Sequence, residues 1–176
     1  MKLMVVAMVI HAIECKTAEE WRSRSIYQLL TDRFSPSHFN YSLCVETPLT
    51  EYSVRHYCGG TYRGIIDQLD YIIEMGFDAI WISPIPSNTD VETIYGVGWH
   101  GYWQDNIYKL NEHFGTEQDL IYFIEKAHER NVWVMLDVVA NHVGPNVTSY
   151  VPFDREEHFH QPLCFIEDFK NQTQVI

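Results

Sequence analysis

The chain has 176 residues, 46% of them apolar and 14% aromatic, with 12 Lys and Arg against 24 Asp and Glu and a net charge of −12. That much apolar material can bury a core, which excludes wholesale disorder. The acidic balance excludes a nucleic-acid binder, because phosphate contacts need clustered Lys and Arg, and no run approaches the roughly 18 apolar residues of a membrane span.

Residues 1–17 read as a secretory signal peptide. Lys2 supplies the basic start, Leu3 to Ile10 is an unbroken apolar stretch, and cleavage is expected between Cys15 and Ala18. A buried N-terminal strand or helix is the alternative. Removing the signal leaves Cys44, Cys58 and Cys164. Cys44 and Cys58 are near enough in sequence to staple one loop, which leaves Cys164 odd: a free thiol, an intermolecular bond or a missing segment. Three glycosylation sequons, at Asn40, Asn146 and Asn171, agree with a secreted protein.

In chain order, Ile26 to Leu30 is a short apolar run ending at Thr31-Asp32-Arg33 and reads as a buried strand. Ser35 to Gly60 is a long polar loop. Thr61 to Met75 reads as a helix, with Ile65, Leu69 and Ile72 at helical spacing, Thr61 as N-cap and Gly76 just past the end. Phe77 to Ile82 is a second strand, and Ser83 to Gly101 a loop. Thr116 opens a second helix with Asp119 completing a capping box, Leu120, Phe123, Ile124 and Ala127 as its buried stripe, and Asn131 past its end. Val132 to Val139 is almost continuously apolar, the pattern of a strand buried on both faces, and beyond Asn141 the chain reads as loop. Strands alternating with helices, with the long loops after the strands, predict parallel strands joined by crossovers. In a (β/α)8 barrel those loops form the functional face, but such a barrel takes about 250 residues.

Two constellations carry chemistry. Asp137 interrupts the third apolar run, and a carboxylate there must be paired or hydrogen-bonded. Asn141 and His142 follow at the same strand end. A core Asp satisfied by backbone, with an ordinary loop His, is the bland reading. The second constellation is Trp99-His100-Gly101-Tyr102-Trp103, where aromatic rings suit the C–H faces of a sugar and polar groups its hydroxyls. An aromatic loop packed without a ligand is the alternative. No H-E-x-x-H pair, G-x-S-x-G elbow or phosphate-cradling loop occurs. His158-Phe159-His160 has metal-binding spacing but reads better as a solvated loop.

These blocks, with Ile26-Tyr27-Gln28-Leu29-Leu30-Thr31-Asp32-Arg33-Phe34, Tyr57-Cys58-Gly59-Gly60-Thr61 and Asp137-Val138-Val139-Ala140-Asn141-His142, give the chain a specific likeness. From Trp21 to Val175 it resembles the secreted α-amylases of glycoside hydrolase family thirteen, the fungal type in particular. The resemblance implies an α/β fold: an incomplete (β/α)8 TIM barrel over 18–142, with its first three strands and two helices. Residues 143–176 would begin the small domain inserted after strand three.

It also implies endo-hydrolysis of α-1,4-glucosidic bonds in starch or glycogen with retention, which needs a carboxylate nucleophile and a carboxylic acid. The family places these on later strands, so no catalytic residue is expected within this chain and Asp137 is expected to support the site. His100, Tyr102, Trp103 and His142 are the implied substrate contacts. Asn141 is implied as one ligand of a structural calcium, an ion that takes six to eight oxygens. The resemblance pairs Cys44 with Cys58, puts the partner of Cys164 past residue 176, and implies a secreted glycoprotein, monomeric at full length. The expectation is a truncated α-amylase, inactive alone. The alternatives are a noncatalytic maltooligosaccharide-binding fragment and a related α-glucosidase.

Overall fold

The computed structural model describes residues 16–37, 55–145, 149–161, 170 and 172–175. The expected signal segment therefore lies outside the described residues except for its last two, and so do His38, Cys44, Cys164 and the Asn of each sequon.

The elements in order are α1 (Ala18–Trp21), β1 (Ile26–Gln28), α2 (Thr31–Phe34), α3 (Tyr62–Asp67), α4 (Leu69–Glu74), β2 (Ala79–Ile82), β3 (Pro86–Asn88), β4 (Gln104–Leu110), α5 (Glu117–Glu129), β5 (Trp133–Leu136) and α6 (Gln172–Val175). Short 3-10 turns lie at Glu112–Phe114 and Glu156–His158. β1, β2 and β5 form one parallel sheet in that order, with Ile26 opposite Ala79 and Ala79 opposite Trp133. The expected parallel arrangement is therefore present, and it is the opening of a (β/α)8 barrel. Among the described residues no helix is long and apolar enough to cross a membrane.

Helix ends follow their local chemistry. The Thr61 hydroxyl accepts from Gly64 N at 3.0 Å, and Gly76 takes φ 89° past the second segment. Thr116 and Asp119 form the reciprocal capping box, and Asn131 sits at φ 56° after α5. The helix expected over Thr61 to Met75 is broken at Gln68, where the amide bonds back to Ile65 O, a tightened last turn. Tyr62, Ile65, Leu69 and Ile72 still reach one core with Ile80, Ile82, Phe114, Phe123 and Ala127.

Two expectations are corrected. The third apolar run is a four-residue strand, β5, half-buried rather than covered on both faces; Leu136 is 43% and Val138 79% exposed. Among the described residues β5 pairs only with β2, so its other edge has no strand beside it. The supposed loop from Ser83 to Gly101 contains β3, which pairs antiparallel with β4 through an irregular register. Neither strand alternates apolar and polar residues, so period-two patterning is silent there. Val151 bridges onto β4 through Ile107 N to Val151 O at 3.1 Å, which draws the later segment against the hairpin.

Candidate functional site

Parallel strands put all their C-terminal ends on one rim, and the rim is tied together. Thr31 N donates to Ser83 Oγ at 2.9 Å, joining the ends of β1 and β2. Asp137 N donates to Ile82 O at 3.3 Å, so the β2–β5 ladder continues one bond past β5 and aims Asp137 at the same rim. The aromatic loop is brought there by the hairpin: Asn88 Oδ1 accepts from Trp103 N at 2.6 Å, and Thr89 N donates to Trp103 O at 2.9 Å. Gly101 turns at φ 91° over Pro84, where an added Cβ would sit 2.9 Å from the Pro84 carbonyl. Any side chain there would push the loop off the strand end.

The residues singled out from sequence meet. Tyr102 donates its hydroxyl to Asp137 Oδ2 at 2.8 Å. Burial, then this bond and the carboxylate charge, push the Tyr102 phenol up to about 12, so it stays a donor at physiological pH. His142 Nε2 lies 3.0 Å from Tyr102 O. A carbonyl can only accept, so Nε2 carries the proton and Nδ1 accepts from the Asn141 amide at 3.2 Å. His100 Nδ1 accepts from Tyr102 N at 3.0 Å, which leaves Nε2–H as its free donor direction. The His100 ring stacks on Tyr102 (centroids 5.8 Å, 25°) and stands edge-on to Trp103 (4.9 Å, 85°). Burial first, then the nearby Arg33 and His142 charges, bring His100 down to about 4, so it is neutral at pH 7.

The strand-end pair Asp32-Arg33 is a further part of this rim, one that the sequence marked only as a strand stop. Asp32 is buried and accepts from Cys58 N (2.8 Å) and Gly59 N (3.2 Å). Its desolvation raises the carboxyl, against those amides and Arg33, which favour the charged form. Arg33 Nε lies 2.9 Å from Asp32, Nη2 donates to His56 O at 2.7 Å, and the guanidinium sits 3.5 Å above the Trp99 ring. The signal available in sequence was a charged pair closing an apolar run. What it packs on, Trp99, is far away in the chain. Cys58 is buried and disulfide-bonded, and Cys44, its expected partner, lies outside the described residues.

The described residues do not by themselves make a calcium cage. Asn141 is the single expected ligand among them, its side chain is exposed, and no group of three His, Cys, Asp or Glu converges among the described residues. His158 turns back to its own loop, accepting from Arg155 N at 3.3 Å, in line with the solvated-loop reading. A small recess of about 130 Å³ lies beside Asn141 and His142, walled by Gln104, Phe153 and Phe159. The assembled arrangement is one wall, with ring faces beside imidazole and carboxylate edges, which suits a ligand that has both apolar faces and hydroxyls.

A family model described as the α-amylase catalytic domain matches residues 28–168. An α-amylase of Saccharomycopsis fibuligera is 44% identical over 165 residues, covering 90% of this chain and 32% of that protein. The solved α-amylase of Malbranchea cinnamomea superposes with a TM-score of 0.74 at 43% identity, covering 91% of this chain and 34% of the other. A variant of AmyP, solved in complex with maltotriose, superposes at TM-score 0.60 and 29% identity over 80% of this chain and 28% of that one. The chain thus spans about a third of the length of the relatives it matches.

Proposed function

The chain belongs to the α-amylase catalytic-domain family, and on that footing we propose that it forms one wall of a cleft that hydrolyses internal α-1,4-glucosidic bonds of starch or glycogen with retention. The observation that carries this is the meeting of Asp137, Tyr102, His100 and His142 at the C-terminal rim of a parallel sheet, where barrel enzymes keep their chemistry. Trp103 and Tyr102 supply apolar faces to a glucose ring, and His100 and His142 reach its hydroxyls. Asp137 holds Tyr102 and organises the wall.

Retaining cleavage needs two carboxyl groups flanking the bond. By the family likeness both come from later strands of the barrel, and Asp137 supports the site through the Tyr102 hydroxyl. In a chain of the relatives' length, calcium is a structural ion that takes one amide oxygen from Asn141, with its other ligands outside the described residues. The same proposal includes residues 1–17 as a signal peptide, secretion, glycosylation at the sequons, a Cys44–Cys58 bond and a monomer at full length. It divides the chain into barrel residues 18–142 and the inserted small domain from 143. The supports are the basic-then-apolar start, the sequons and the family match.

Two measurements test it. Pure 176-residue polypeptide is expected to leave a blocked maltooligosaccharide intact, and measurable turnover overturns that assignment of roles. Titration with maltotriose is expected to shift the NMR signals of His100, Tyr102 and His142 saturably. Unmoved signals at high sugar concentration reject the wall.

A further inference from the structure

From the stacking at the rim we propose that Arg33 and Trp99 are positioning residues of the sugar-binding wall, which fix the His100 ring so that its Nε2–H faces the sugar. The inference rests on the functional reading above for its ligand, and on geometry alone for its mechanism.

The contacts form an unbroken path. Asp32 is anchored by two backbone amides of the Cys58–Gly59 turn, and its side chain is 1% exposed. It pairs with Arg33 Nε at 2.9 Å, and the His56 carbonyl accepts from Nη2 at the other end of the guanidinium, which restricts rotation of the plane. That plane lies 3.5 Å over the Trp99 ring. Trp99 in turn meets His100 edge-on at 5.3 Å and 71°. On its other sides His100 is bounded by Tyr102 and Trp103. An imidazole gripped in this way has one orientation, with Nδ1 held by Tyr102 N–H. Arg could not be replaced by Lys without loss, since only a planar cation lies flat on an indole while one edge meets a carboxylate and the other a carbonyl.

The charge acts in the same direction as the packing. The groups facing His100 are the Arg33 cation and the His142 imidazole, while Asp137 acts on the neighbouring Tyr102. The Arg33 cation disfavours a proton on Nδ1, which would abolish its bond from Tyr102 N–H. A merely structural Arg33 would hold the Cys58 turn and leave the His100 tautomer unaffected.

The test is NMR on histidine-labelled full chain, comparing wild type with Arg33→Met and Trp99→Leu. Trp99→Leu leaves the buried Asp32–Arg33 pair untouched, so it decides if Arg33→Met fails to fold. Wild type should show His100 as the pure Nε2–H tautomer. Each variant should show mixed tautomers and a maltotriose affinity weaker by about fivefold, the size of one partly exposed cation–π contact. Arg33→Met should also move the His100 titration midpoint upward, toward ordinary histidine, and Arg33→Lys should restore the midpoint without restoring the pure tautomer. Folded variants with wild-type His100 tautomer and wild-type affinity overturn the inference. If wild type binds no maltotriose while both variants still disturb His100, the positioning stands and the functional reading falls.

Discussion

Tyr102 joins its loop to β5 through one hydroxyl, and that bond sets the first expectation. Tyr102→Phe removes a 2.8 Å bond to a half-buried carboxylate and should cost about 1 kcal/mol in urea unfolding. It should also free Asp137 and weaken the maltotriose-induced shifts. His100 sets a pH expectation. Its folded value of about 4 lies below the ordinary 6.5, so the unfolded chain binds the extra proton between those limits. Stability is full above about pH 6.5 and falls on acidification toward 4, with a slope of up to about 1.4 kcal/mol per pH unit. Thermal melts of His100→Gln should show a flatter profile in that window. Asp137, Tyr102, His100 and His142 were legible because rings, imidazoles and a misplaced carboxylate are unusual in loops and strand ends. The contact of Trp99 with Arg33 was not, since a contact between such distant positions leaves no periodic trace in a single sequence.

At the level of elements, α5 is the best test of local rules. Its capping box was readable from Thr116 and Asp119, and the structure adds a 2.6 Å ion pair from Asp119 to Arg63 on α3. The two Thr116 contacts and Arg63 hold Asp119 down to about 2 against an ordinary 3.8. The sign is the usual one for a carboxylate with a depressed value: the stabilisation is complete above about pH 4 and is lost as pH falls toward 2. Thr116→Ala should cost about 1 kcal/mol, checked by urea titration at pH 7, and Asp119→Asn should remove the acid-sensitive part. The β3–β4 hairpin was missed for a physical reason. Pro86-Ser87-Asn88 and Gln104 to Leu110 are held by irregular pairing and by the Asn88 side chain, not by an alternating apolar face. Their composition reads as loop. The break at Gln68 was equally silent, because Ile65, Leu69 and Ile72 keep their core positions across it.

Across the whole molecule, the sheet order was legible from the alternation of strands and helices, and the wall from its position after them. Burial of the third strand was not legible, because an apolar run reports what a strand is suited to meet and not what stands beside it. β5 has an unpaired edge among the described residues, Leu136 at its end and Val138 just beyond are exposed, and edges of this kind favour association. Sedimentation velocity of the 176-residue polypeptide should show concentration-dependent self-association, reduced by Val138→Lys.

The middle strand also has a kinetic side. Ala79 is matched to Ile26 behind it and to Trp133 ahead of it, so no strand of the sheet finds a partner close by along the chain. A ribosome that has released only β1 and β2 has delivered Ile80 and Ile82 without half of their cover. Closing such distant loops comes before any reward, which makes assembly slow and late. The sheet is therefore expected to close only once β5 is present.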